Sequence, residues 1–88
     1  MFSINEWVVQ GKVVKNEAKK RGYFITVKGN AMNGSLYNSD TCTIDCWVSN
    51  KVLKEHRIGN CVRLRGRFKF EKGECYFITD KVLGGINE

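Results

Sequence analysis

The stretch VRLRGRFKF, residues 62–70, constrains the fold more than any other part of the chain. Apolar residues and glycine occupy every second position, and each position between them carries Lys or Arg. A period of two places successive side chains on opposite faces of a β-strand. The stretch therefore predicts a strand with one face in a core. The inward residues are Val62, Leu64, Gly66, Phe68 and Phe70, and the outward residues are Arg63, Arg65, Arg67 and Lys69.

Four further stretches predict strands, because they are rich in β-branched and aromatic residues and are bounded by turn-forming residues. They are residues 7–14, 23–28, 41–48 and 75–83. Gly11 lies inside the first, where a glycine indicates a bulge or a tight bend such as a barrel corner. The parity of the last strand stays open, because a bulge before Val82 could exchange its two faces.

Residues 49–59 predict a short helix. Counted along the chain, it lies between the third strand, 41–48, and the fourth, 62–70. Ser49 or Asn50 can cap its start, Val52 and Leu53 give it an apolar side, and Gly59 ends it. The other connections are a basic loop at 16–22, a long polar loop at 29–40 and a tight hairpin turn at 71–74.

Five short strands with one helix between the third and fourth match the all-β OB-fold, a five-stranded Greek-key barrel. The strand count alone would also allow an SH3-like barrel, but the helix position and the bent first strand favour the OB-fold. The 88 residues form one domain, 1–88, since a second core would not fit. The tetrapeptide YFIT occurs at 23–26 and at 76–79, but its flanking sequences diverge, so a duplication is not supported.

The charge balance favours a polyanionic partner. Fifteen Lys and Arg against nine Asp and Glu give a net charge of +6. Nucleic acid is the first expectation and an anionic membrane surface the second, although many small basic proteins are merely soluble. No apolar run approaches the ~20 residues of a membrane span, and the first residues lack a signal-peptide core. We therefore expect a cytoplasmic protein without a membrane partner.

The four cysteines are expected to be free thiols, as is usual in the cytosol. Cys42 and Cys46 share the apolar face of the third strand. The chain has no C-x-x-C pair, and its single histidine, His56, lies in the helical region. Buried small hydrophobic residues are therefore favoured over a zinc site, and no cofactor is expected.

The orientation of the aromatic residues decides between core and binding surface. Trp47 shares parity with Asp45, and an inward Trp47 would bury that carboxylate at high cost. An exposed tryptophan on a polar strand face indicates a binding role rather than a structural one. Phe24 is the second candidate, with core packing as the alternative. Tyr76 and Phe77 rank lower because their parity is open.

Exposed rings beside cations favour single-stranded nucleic acid. Rings stack on unpaired bases at about 1–3 kcal/mol per base while Lys and Arg contact phosphates, and a duplex hides its base faces. Single-stranded DNA is the leading hypothesis; an RNA-binding module and a protein-interaction domain for an acidic partner are the alternatives. The candidate contact residues are Trp47, Phe24, Lys28, Lys19, Lys20, Arg21, Tyr37, Arg63, Arg65, Arg67, Lys69 and Lys72.

Three stretches also resemble a known family. WVVQGKVV, TIDCWVSNKVLKE and IGNCVRLRGRFKFEKGECYFITDKVL are similar to bacterial single-stranded-DNA-binding proteins and to their smaller relative, primosomal replication protein N. The family's first strand has hydrophobic residues before a glycine, its third carries binding aromatics, and its fourth follows G-x-x-V-x-V-x-G-R. The matching residues are Val8, Val9, Gly11, Trp47, Gly59, Val62, Leu64, Gly66 and Arg67.

The resemblance implies non-sequence-specific binding of single-stranded DNA in replication, recombination or repair. It also implies a homodimer or homotetramer and contacts with replication or primosome proteins. Typical members have a long tail with an acidic, aromatic tip that recruits partners, whereas this chain ends at GGINE. Recruitment through such a tail is therefore not expected here.

Catalysis is not expected. The sequence offers no nucleophile beside a base, no paired carboxylates and no phosphate-binding loop with its lysine.

Overall fold

A computed structural model describes residues 5–33, 36–37, 41–54 and 58–86. This part of the chain forms six strands and one short helix. They are β1 (Trp7–Ala18), β2 (Gly22–Asn33), β3 (Leu36–Tyr37), β4 (Cys42–Ser49), α1 (Asn50–Leu53), β5 (Cys61–Glu71) and β6 (Glu74–Ile86).

The five long strands close into a barrel. Their order is β1-β5-β6-β4-β2, and β2 pairs back onto β1, while the two-residue β3 adds to β2. The pairing of β4 with β6 is parallel, and every other pairing is antiparallel. The helix α1 lies between the third and fourth long strands, β4 and β5. The predicted OB-fold is confirmed.

Two glycines allow the barrel to turn its corner at β1. Gly11 pairs with Gly29 of β2 on one side and with Val62 of β5 on the other. A Cβ atom on Gly11 would lie 2.3 Å from the carbonyl oxygen of Lys28, and one on Gly29 would lie 1.9 Å from that of Gln10. Side chains would therefore force the two backbones apart. The bulge considered for Gly11 lies instead between Val13 and Lys15.

The core is built from the inward side chains of all five long strands. Phe77 is its largest fully buried residue. Phe68 packs edge-on against Phe77 and Trp7, with ring centroids 5.2 Å apart in each pair. The other buried hydrophobic residues are Val9, Ile25, Val27, Ala31, Ile44, Cys46, Val48, Val62, Leu64 and Val82. The alternation predicted for β5 is confirmed from Val62 to Phe68.

The prediction that Phe70 faces inward is wrong, because its side chain is 78% exposed. It pairs with Cys75 beside the hairpin turn, where both residues are exposed. Cys61 is exposed as well, since it precedes the inward Val62. The cysteines were expected to be buried small hydrophobic residues. Cys46 is fully buried and Cys42 partly so, but the expectation is wrong for Cys61 and Cys75, which are exposed.

The strands are longer than the sequence pattern predicted. β1 continues to Ala18, so the basic loop shrinks to residues 19–21. β2 continues to Asn33, within the stretch predicted as a long loop. The loop-like residues Gly29 and Asn30 are held in the sheet because they pair with Gly11 and Gln10. Hydrogen bonding to β1 outweighs their weak strand propensity.

The helix is shorter than predicted. α1 ends at Leu53, and Ser49 precedes it without a side-chain capping hydrogen bond. Residues 55–57, which include His56, lie outside the described residues. The described residues include no helix long and apolar enough to cross a membrane.

A bulge in β6 resolves the parity of that strand. Phe77 and Thr79 point inward, and so does Val82. The register with β5 shifts at Asp80, which has no partner between the pairs Gly66–Thr79 and Arg65–Lys81. The faces of β6 are exchanged at this point, which leaves Tyr76 and Ile78 on the outer face.

Candidate nucleic-acid interface

Three aromatic rings lie together on the outer face of the barrel. Phe24 of β2, Trp47 of β4 and Tyr76 of β6 form what we name the aromatic cluster. The centroid of Phe24 is 5.1 Å from that of Trp47 and 6.1 Å from that of Tyr76. Each residue is partly exposed. The outward orientation predicted for Trp47 is confirmed, because its neighbours Cys46 and Val48 are buried. Phe24, for which core packing was the alternative, also faces outward, since its neighbour Ile25 is buried.

Backbone pairing places the rings next to one another. Phe24 and Trp47 are direct cross-strand partners, and Trp47 pairs with Ile78 across the parallel seam. A Cβ on Gly22 would lie 3.0 Å from Cζ2 of the Trp47 indole and 2.3 Å from the carbonyl oxygen of Val48. Glycine at this position therefore lets the indole rest against the start of β2.

Asp45 lies on the same face as Trp47, as the pattern predicted. It is exposed, and the hydroxyl of Thr26 donates a hydrogen bond of 2.9 Å to its Oδ1. Since Thr26 and Asp45 are cross-strand partners, this polar pair sits one step along the strands from Phe24 and Trp47. The outer face therefore offers a ring pair followed by a hydrogen-bonding pair.

A pocket of about 530 Å³ opens beside the cluster, lined by Phe24, Tyr76 and three carboxylates. The phenol of Tyr76 donates a 2.9 Å hydrogen bond to Oε2 of Glu71, which raises the pKa of Tyr76. The other lining residues are Asp45, Glu74, Lys72 and Cys75. Carboxylates repel phosphates but accept hydrogen bonds from the amino groups of bases. The pocket chemistry therefore suits a base rather than a phosphate.

The cations of the β1–β2 loop stand beside the start of β2. Lys19, Lys20 and Arg21 are all exposed. The backbone N–H of Asn50 donates a 2.9 Å hydrogen bond to the backbone carbonyl of Arg21. This bond connects the loop to the start of α1. Lys19 forms a 2.9 Å ion pair with Glu17 and lowers the pKa of that carboxyl. Lys20 and Arg21 have no ion-pair partner among the described residues.

Two of the four β5 cations adjoin the aromatic cluster. Arg67 is the cross-strand partner of Ile78, and Lys69 is the partner of Tyr76. Each is also near a carboxylate: Arg67 is 3.4 Å from Asp80, and Lys69 is 3.6 Å from Glu71. Both pairs are about half exposed, where an ion pair contributes little to stability.

The other two β5 cations lie elsewhere. Arg63 and Arg65 are partners of Gln10 and Val8 on β1. The structure therefore does not bring these two arginines to the cluster. Arg65 is 3.4 Å from Glu6, whereas Arg63 has no ion-pair partner in the described part of the chain.

The remaining candidates are Lys28, Lys72 and Tyr37. Lys28 is exposed on the same face of β2 as Phe24 and Thr26. Lys72 lies in the hairpin turn with φ 52° and lines the pocket. The backbone of Tyr37 pairs with Met32, and its side chain lies outside the described part of the structure.

No family model, curated protein or solved structure matches this chain. The resemblance to the single-stranded-DNA-binding proteins therefore stays a prediction, and the site has to be interpreted from its own geometry. In the described ranges no group of three or more His, Cys, Asp or Glu side chains could hold a metal ion.

Sequence reasoning left the orientation of Tyr76 open. The strand has two alternating sets, and only the inward position of Phe77 and Thr79 reveals that Tyr76 faces out. The bulge at Asp80 hid this, because the inward position of Val82 suggests the opposite parity. The carboxylates that pair with the β5 cations were also missed. Glu6 is far in sequence from Arg65, and Asp80 is far from Arg67, while Glu71 is only two residues from Lys69.

Proposed function

We propose that this protein binds single-stranded DNA without sequence specificity and carries out no chemistry on it. The observation that supports this most is the aromatic cluster, which presents three partly exposed rings on one outer face. Aromatic platforms bind unpaired bases whatever their identity, because every base has a π-face. A paired duplex does not expose those faces.

The charges around the cluster suggest how a strand would lie. Asp45, Glu71 and Glu74 line the pocket, so phosphates would be repelled from it and bases would occupy it. Lys20, Arg21 and Lys28 are exposed outside the pocket and have no ion-pair partner among the described residues. The backbone would therefore follow these cations while the bases turn toward the rings.

The location agrees with the general use of this fold. OB-fold proteins commonly bind oligonucleotides on the face of their second and third strands, between the first and last hairpin loops. Here that region comprises β2, β4, the loop 19–21 and the turn at Lys72. The cluster lies within it, together with the exposed cations Lys20, Arg21, Lys28 and Lys72.

The biological setting belongs to the same proposal. Work in replication, recombination or repair, a homodimeric or homotetrameric state, and contacts with primosome proteins are supported only by the sequence resemblance. A cytoplasmic location is supported by the sequence pattern alone. They can be tested after the binding activity itself.

Trp47→Ala tests the proposal directly. Loss of one stacking platform is expected to weaken oligo-dT binding by about 1–3 kcal/mol, or roughly 5- to 150-fold. Fluorescence anisotropy of a labelled oligonucleotide at two salt concentrations would measure the affinity. Circular dichroism should show an intact fold, because the indole lies outside the core.

Val14→Ala is the control, since it removes an exposed hydrophobic side chain that lines neither of the two pockets. Its affinity should equal that of the unaltered protein. Equal losses in both variants would contradict a specific role for the cluster.

Two further ligands separate the alternatives. If an RNA oligonucleotide binds with an affinity equal to or higher than that of a DNA oligonucleotide of the same length, the preference for DNA is rejected and RNA becomes the proposed ligand. No binding of either polymer at low salt would reject the proposal. In that case the cluster would be assigned to a protein partner.

A further inference from the structure

A second basic surface lies on the outer face of β1, β2 and β5. We name it the basic groove, a depression of about 470 Å³ with Gly11 and Gly84 in its floor and Lys12, Arg63, Gln10 and Asn30 around it. A Cβ on Gly84 would meet nothing within 4 Å, so the floor is open. None of the described lining residues is acidic. This distinguishes the groove from the carboxylate-lined pocket beside Tyr76.

Like charges face one another across the strands of this surface. Lys12 of β1 is the direct partner of Lys28 of β2. Lys12, Lys28 and Arg63 have no ion-pair partner among the described residues. Like charges directly opposite in a sheet destabilise it. A bound polyanion would remove this repulsion.

Lys28 connects the two surfaces. It lies on the same face of β2 as Phe24, four residues farther along, which is about 13 Å at ~3.3 Å per residue. It also lies directly opposite Lys12, which lines the groove. Lys28, Lys12 and Arg63 therefore form a series of cations that leads away from the side of the aromatic cluster into the groove.

We propose that the basic groove holds the phosphate backbone of the same single strand after it leaves the aromatic cluster, with Lys28 and Lys12 contacting the connecting phosphates. This inference rests on the proposed function and extends its contact surface. It also assigns to Arg63 a contact that the cluster cannot offer it.

A second copy of the chain is the less favourable occupant. In a two-fold symmetric contact each surface meets its own copy. Lys12 and Arg63 would then approach the same cations of the partner, without a carboxylate in the described lining to compensate. The charge of the groove therefore favours an anionic strand.

The test compares short and long oligonucleotides. A dT strand of roughly 5 nucleotides would occupy the cluster alone, and one of roughly 20 would also reach the groove. The double variant K12Q/R63Q is expected to bind the short strand normally and the long strand about tenfold more weakly. The slope of log affinity against log salt for the long strand should become shallower by about 1.4, since each single-strand phosphate contact contributes ~0.7.

Arg63→Gln and Arg65→Gln form a matched pair of single variants. Both remove one positive charge from the outer face of β5, but only Arg63 lines the groove. The long strand should lose affinity and salt slope in Arg63→Gln and keep its salt slope in Arg65→Gln. Equal changes in the two variants would show a net-charge effect and overturn the proposal.

Two exposed thiols report on the surfaces separately. Cys61 lines the groove, and Cys75 lines the pocket beside Tyr76. Cys46 should stay unlabelled, because burial raises its pKa to about 12. Maleimide labelling read by peptide mass spectrometry should show that the short strand protects Cys75 alone and the long strand protects both.

The outcomes separate the two proposals. Protection of Cys75 but not of Cys61 by the long strand would overturn the groove while leaving the proposed function standing. Protection of neither thiol, with no binding measured, would reject the proposed function. Concentration-dependent protection of Cys61 without DNA would assign the groove to contact between copies and overturn its role in binding the strand.

Discussion

Thr79 is a polar residue inside the hydrophobic core. It is 4% exposed, and its hydroxyl has no hydrogen-bond partner among the described residues. Burying a hydroxyl without a partner costs about 1–3 kcal/mol relative to its hydration in water. Thr79 pairs with Gly66 beside the β6 bulge, so the strand brings this side chain inward regardless of its polarity.

Thr79→Val is expected to raise the free energy of unfolding by about 1 kcal/mol, since valine has nearly the same shape without the unpaired hydroxyl. Urea denaturation followed by circular dichroism would measure it. Thr26→Val is the control, because its hydroxyl donates to Asp45 and its removal should be destabilising. A loss of stability in Thr79→Val would indicate that the hydroxyl has a partner.

The individual strands show how far the sequence pattern carries. In β5 the alternation of Val62 and Leu64 with arginines predicted every inward residue up to Phe68. In β6 the same rule left the two faces undecided, because the exact place of the bulge, Asp80, depends on the register with the neighbouring strand. In β2 the pairing of Gly29 with Gly11 extended a strand where the composition predicted a loop.

Gly29→Ala tests the close contact of β1 and β2. The new Cβ would lie 1.9 Å from the carbonyl oxygen of Gln10, and a backbone shift of this kind typically costs about 1–3 kcal/mol. We expect a lower midpoint in thermal denaturation. Gly84→Ala, where a Cβ meets nothing within 4 Å, is the control and should change the midpoint little. Equal stability of both variants would show that the corner tolerates side chains.

At the scale of the whole molecule, one core unites all five long strands. Residues from β1, β2, β4, β5 and β6 meet around Phe77. This arrangement followed from the sequence, because strand count and helix position predicted the OB-fold. The residues of the candidate site could be predicted from the sequence only in part. Trp47 and Phe24 were identified from parity, whereas the pairing of Arg67 with Asp80 depends on the bulge and could not be anticipated.

A single core should unfold in one cooperative step. Trp7 packs on Phe68, and Trp47 lies on the outer face beside Phe24. In Trp7→Phe and Trp47→Phe the remaining tryptophan reports on a different part of the barrel. Within each variant, the fluorescence and circular dichroism transitions should coincide on thermal denaturation. A fluorescence midpoint several degrees below the circular dichroism midpoint would reveal a separately unfolding region.

The strict alternation along β5 has a consequence for protein engineering. The inward residues Val62, Leu64 and Gly66 maintain the core, while Arg63 and Arg65 between them are exposed on the outer face. Replacing the outward cations by acidic or neutral side chains would thus leave packing intact. This strand therefore separates surface charge from folding, so the charge of this face of the barrel could be reversed without redesigning its core.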